Sequence, residues 1–65
     1  MEKELKEKIV EFNSTLDVSL ELEDAVEQTT DYLIDNYIVD LSEDEEGEMY
    51  VALKNEIYDL LEEIR

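Results

Sequence analysis

Carboxylates are the one reactive group this chain has in quantity: 21 Asp and Glu against five Lys and Arg, with no His and no Cys, give a formal charge of -16 over 65 residues. Two acids facing across a cleft can act as general acid and base, clustered oxygens can hold a hard cation, and rows of like charge can meet a basic surface. Acid–base work needs a pair set apart by its surroundings. No phosphate-binding glycine loop or motif isolates any two of these acids from the other 19. Without His or Cys the commonest general base, metal ligand and thiol nucleophile are all missing. The residues point away from an enzyme and imply no cofactor.

The densest group of oxygen donors is Ser42-Glu43-Asp44-Glu45-Glu46-Gly47-Glu48. A calcium loop has glycine at its sixth position and a bidentate Glu at its twelfth. With Gly47 sixth, Ser42, Asp44 and Glu46 fall at donor positions but the twelfth residue is Leu53, so no metal site is assigned. Ser19-Leu20 beside Asp17 resembles the attachment motif of acyl carrier proteins, which are also small, acidic and helical. Here Val18 separates the Asp from the Ser, and the chain before Ser19 is too short for the helix and loop that such a protein needs.

The rows of like charge remain. Residues 1–16 hold four acids and three bases, residues 17–41 eight acids and no base, and residues 42–65 nine acids and two bases. No cation occurs between Lys8 and Lys54, so neighbours on the same helix cannot neutralise most of these carboxylates. At about 100° per residue, Asp17, Asp24, Asp31 and Asp35 share one helical sector flanked by Glu21 and Glu27, with Asp17 included only if the helix reaches back to it. Glu43, Asp44, Glu45, Glu46 and Glu48 continue the anionic surface toward the C-terminal half. A merely solvated helix intersperses Lys with Glu, because same-sign neighbours cost a few tenths of a kcal/mol per pair. The expected binding residues are therefore these eleven acids, with Tyr32 and Tyr58 as aromatic anchors beside them.

The elements that must carry these residues are helices. Leu5, Ile9, Phe12 and Leu16 recur at spacings of four, three and four and predict a first helix over residues 2–15, ended by Asn13-Ser14-Thr15, whose side chains compete for backbone groups. A second helix is expected over 20–39, capped by Ser19 or by Asp24 with Glu27, with Leu22, Ala25, Val26, Thr29, Leu33 and Tyr37 facing inward. A third is expected over 43–64, capped by Ser42 with Glu45, or starting near Glu48 because Gly47 is a poor helix former. Met49, Tyr50, Leu53, Ile57, Leu60, Leu61 and Ile64 make its apolar face. The expected architecture is one all-α domain over 1–65, a small three-helix antiparallel bundle. The alternation of Leu16, Val18, Leu20 and Leu22 with polar residues admits an α+β alternative, with a short strand at 16–22 paired in a hairpin or a dimer. Leu20, Ile34, Ile38 and Leu41 lie off the main stripe of the second helix and need a cover: a second core face, a partner, or another copy in a homodimer.

Apolar residues make up 43% of the chain, enough to fold it despite the charge. No apolar run approaches the ~20 residues that cross a bilayer, and the charged N-terminus leads into no signal core, so the chain reads as cytoplasmic. Nucleic-acid backbones and anionic lipid would both repel it. The partner these features imply is a basic protein surface, such as a nucleic-acid-binding cleft. In charge and size the chain resembles the functional class of DNA-mimic proteins, many of them phage-encoded against host defence or transcription machinery. That resemblance implies an inhibitor acting by occupancy and transfers no individual residues. The alternative is an antitoxin, immunity or regulatory subunit that binds through an apolar helix face, with the charge serving solubility.

Overall fold

Helical spacing puts Leu5, Ile9 and Phe12 on one side, and α1 (Lys3–Asn13) forms over them in the computed structural model, which describes residues 2–64. Ile9 is fully buried, while Leu5 and Phe12 are half-buried. The helix ends two residues before position 15 because two hydroxyls take over its carbonyls. Ser14 Oγ donates to the Glu11 carbonyl at 2.6 Å and Thr15 Oγ1 to the Phe12 carbonyl at 2.7 Å.

The connection that follows is a turn, not a strand, and no strand occurs among the described residues. Asp17 accepts the backbone N–H of Ser19 and its hydroxyl, both at 2.9 Å, and the N–H of Leu20 closes on the Asp17 carbonyl at 3.0 Å. This Asx turn, in a segment with no neighbour to pair with, defeats the period-two pattern. Leu16, Leu20 and Leu22 pack on the core, whereas Val18 is 98% exposed.

The second helix, α2 (Leu22–Asp35), is shorter at both ends than the expected 20–39. Its N-cap is Glu21, which makes no side-chain capping bond, so neither Ser19 nor Asp24 caps it. At the other end Tyr37 turns left-handed, with φ 56°. Its N–H donates to the Ile34 carbonyl at 3.1 Å and that of Ile38 to the Leu33 carbonyl at 2.9 Å. These two bonds are a Schellman motif, and Ile38 packs back on the core as such motifs favour. The left-handed position is normally glycine, and an L side chain there costs about 1–2 kcal/mol. Tyr37, expected on the inward stripe, is 91% exposed.

The third helix, α3 (Glu48–Ile64), begins at Glu48 and not at 43, so Ser42 and Glu45 form no capping box. Gly47 supplies the turn into it at φ 76°. Asp44 provides the cap from further back: its two carboxylate oxygens accept the N–H groups of Met49 at 3.1 Å and Tyr50 at 3.0 Å. Glycine has no side chain to do this, and a carboxylate meeting two free N–H groups at a helix N-terminus is favourable on charge as well.

Together the elements make a three-helix antiparallel bundle with α2 in the middle, packed most extensively on α3 and less on α1. Ala25, Val26, Thr29, Thr30 and Leu33 of α2 and Leu53, Ile57, Leu60 and Leu61 of α3 are buried. Phe12 and Tyr32 join α1 to α2 by stacking, with ring centroids 4.2 Å apart and planes 11° from parallel. Leu5 shares a groove with Ile38 and Val39, so the start of α1 meets the end of α2. The accessible surface is 4834 Å²; an unfolded chain of this mass exposes about 11,000 Å², so folding hides little more than half of it. Thr30 Oγ1 donates to the Val26 carbonyl at 2.7 Å, while the buried Thr29 hydroxyl has no hydrogen-bond partner.

In so thin a fold the α3 cap weighs heavily. Asp44→Ala is expected to lower stability by about 1–2 kcal/mol, read as a thermal midpoint lower by several degrees. Glu45→Ala, which removes the same charge and no capping bond, is expected to leave the midpoint nearly unchanged or slightly raised.

Candidate functional site

The helices that bury apolar stripes must turn their carboxylates outward. Asp44 is half-buried, and the other 20 acids are exposed. On α2 the exposed Asp24, Asp31 and Asp35 lie opposite Ala25, Val26, Thr29 and Leu33. The helical rise separates Asp31 from Asp35 by about 6 Å and Asp24 from Asp31 by about 10 Å along the axis. Glu27 flanks this row and Glu21 precedes it. The row starts at Asp24: Asp17, expected at its head only if the helix reached back, sits in the Asx turn before α2. Glu43, Glu45 and Glu46 stand exposed in the connection before α3, Glu48 is that helix's first residue, and Asp44 is held by its cap.

Two features describe how this charge is balanced. Among the described residues no lysine lies within ion-pair distance of a carboxylate. Among the described residues none of the three helices has a base in its last turn; Glu11, Asp35, and Glu62 with Glu63 stand there instead. A carboxylate near a helix C-terminus opposes the partial negative charge of its free carbonyls, where a cation would contribute about 0.3–1 kcal/mol. Stability alone would not select that arrangement.

Between α2 and α3 runs an open groove of about 330 Å³, where Glu23, Asp24 and Glu27 face Lys54, Asn55 and Tyr58. Tyr58 is 38% exposed and meets the expected acids there. Tyr32 does not join them: it is half-buried and its ring is occupied by Phe12. Lys54 lies over the Tyr50 ring, 5.5 Å from its centroid. Sequence reasoning missed Glu23 and Lys54 as members of this groove; the four-residue spacing of Tyr50 and Lys54 was the available signal. It also missed Tyr37, whose exposure follows from a turn that no glycine announces.

The residues expected off the main stripe of a longer second helix are largely taken up by the fold. Leu20 and Ile38 pack on the core, and Ile34 and Leu41 are half-buried. Exposed apolar side chains are scattered, with Val10 on α1 and Met49, Val51, Tyr58 and Ile64 on α3. Among the described residues no three acids converge to hold a metal ion, and no helix is long and apolar enough to cross a membrane. Comparison with known proteins finds no matching family model, no matching curated protein and no matching solved structure.

The turn aspartates Asp17 and Asp40 sit below the usual carboxylate range. The backbone N–H of Ser19, and then its hydroxyl, hold Asp17 below the usual aspartate value, and the N–H and hydroxyl of Ser42 do the same for Asp40. A folded-state value below the unfolded one means that these turns contribute stability above the ordinary carboxylate range and lose it as pH falls through the lowered value. In an NMR titration both side chains are expected to protonate at a pH below that of a model aspartate. Ser19→Ala keeps the backbone donor and loses the hydroxyl, so it is expected to move Asp17 only part of the way back.

Proposed function

We propose that this protein binds, in a stoichiometric complex, the basic nucleic-acid-binding cleft of another protein and keeps nucleic acid out of it. The observation that carries the reading is charge per length. The long axis is 34 Å, close to one turn of B-DNA at about 34–36 Å. A net charge of -16 along it is roughly one charge per 2 Å, against about one per 1.7 Å for the duplex. Most of that charge lies on α2, α3 and the segment between them, since residues 1–16 are nearly neutral.

The chemistry is electrostatic. A field of one sign steers the protein to a cationic cleft, and carboxylates presented by a folded scaffold meet Lys and Arg side chains where phosphates would. Asp24, Asp31 and Asp35 form one helical row flanked by Glu27; Glu43, Glu45, Glu46 and Glu48 add exposed charge before and at the start of α3, and Tyr58 adds aromatic area beside Asp24 and Glu27. Asp17 and Glu21 precede the row, Asp17 in the turn before α2 and Glu21 at its N-cap. The site asks for no cofactor, and the proposed mode of action is occupancy.

Immobilised protein is expected to retain nucleic-acid-binding proteins from a cell extract at low salt and to release them when duplex DNA is added. Asp24→Asn, Asp31→Asn and Asp35→Asn together are expected to cut that retention far more than Val10→Ser with Val51→Ser, which changes exposed apolar side chains only. The opposite ranking, with no release by DNA, would favour binding through an apolar face.

A further inference from the structure

On one flank of the α2–α3 pair, α1 shows what that pair accepts. It is an amphipathic helix that puts Ile9 in the core and Phe12 on Tyr32, and its Lys6 shares a groove with Glu56, Asp59 and Glu63 of α3. At about 100° per residue those three acids lie on one side of the buried Leu53, Ile57 and Leu61, and Lys54, Asn55 and Tyr58 lie on the other. The α2–α3 groove of about 330 Å³ therefore opens on the flank away from α1.

We propose that this groove is the docking site for a basic amphipathic helix of the partner, seated on the flank opposite α1. The inference rests on the reading that the acidic surface meets a basic protein, and it narrows that contact to one groove and one kind of segment. Val26 gives the groove an apolar floor, and Tyr58, 38% exposed, lines its α3 wall. The α2 rim carries Glu23, Asp24 and Glu27, all exposed and none within ion-pair distance of a lysine. Lys54, the cation that lines the groove, lies over the Tyr50 ring instead, 5.5 Å from its centroid. An apolar floor under an unneutralised acidic rim complements a helix whose apolar stripe is flanked by Lys or Arg, and two packed helices offer a groove of that shape. A second copy complements it poorly: its α1 is already packed, and residues 17–65 hold 17 acids against two bases.

The test titrates the protein with three peptides of equal length: one with leucines on a single helical stripe and lysines elsewhere, one of the same composition with the leucines scattered, and one with glutamate in place of lysine. Both lysine peptides are expected to bind at low salt, and the glutamate peptide is not. The amphipathic peptide is expected to bind about tenfold more tightly than its scattered isomer and to gain helicity as it binds. Asn55→Arg, at an exposed position in the groove, is expected to remove that margin with the thermal midpoint unchanged, and Tyr58→Ser to reduce it. Glu56→Gln changes the net charge by as much as Asn55→Arg, on the α1 flank, and is expected to keep the margin. Equal binding of the two lysine peptides, or a margin that survives both groove variants, overturns the docking site and leaves the acidic surface standing. Failure of both lysine peptides to bind overturns the parent reading and this inference with it. In sedimentation the protein alone is expected to be a monomer; a dimer that Asn55→Arg dissociates would give the groove to a second copy and overturn the basic helix as its occupant.

Discussion

A narrow apolar seam between α2 and α3 holds the molecule together against its own charge. Ala25, Val26, Thr29 and Leu33 on one side and Leu53, Ile57, Leu60 and Leu61 on the other supply nearly all of the fully buried surface, and α1 adds Ile9 and the Phe12–Tyr32 stack. Mutual repulsion among exposed carboxylates opposes that closure, and a domain of this size has little burial to spare. Every other feature is arranged around this balance. The helices can carry so many acids only because each turns a continuous apolar stripe inward, and the same geometry turns the acids outward as rows.

The acids divide into two kinds by what they touch. Asp44 caps α3 and Asp17 and Asp40 close the turns on either side of α2, so these three are accounted for by local hydrogen bonding. Asp24, Asp31, Asp35 and Glu27 have no such role, and the carboxylates in the last turns oppose the helix dipoles. Local structure explains the first kind. It does not explain the second, and on that remainder the proposed binding surface rests.

Much of the fold was legible because three- and four-residue apolar spacing is a strong signal. The buried Ile9, Ala25, Val26, Thr29, Leu33, Leu53, Ile57, Leu60 and Leu61 lie on the stripes read from sequence, and Thr30, buried as well, does not. The boundaries were less legible, for identifiable reasons. Asp44 caps α3 from three residues before Gly47, beyond the spacing of a capping box, and a tyrosine ends α2 where a glycine would have been the signal. Residues 16–22 carry a strand-like alternation, but an Asx turn at Asp17 satisfies the local backbone first. Of the candidate site, the Asp24–Asp31–Asp35 row could be read from helical projection alone. The groove that brings Tyr58 to Asp24 and Glu27 could not, because it depends on how α2 and α3 pair.

The claim that these carboxylates stand in for a polyanion bears on how binding responds to ions. The most direct measurement is the slope of log affinity against log salt for a captured partner binding this protein, set beside the slope for the same partner binding duplex DNA. If the two compete for one basic cleft, both affinities fall steeply with salt and each ligand excludes the other. An affinity nearly independent of salt, or a ternary complex with DNA still bound, would contradict it.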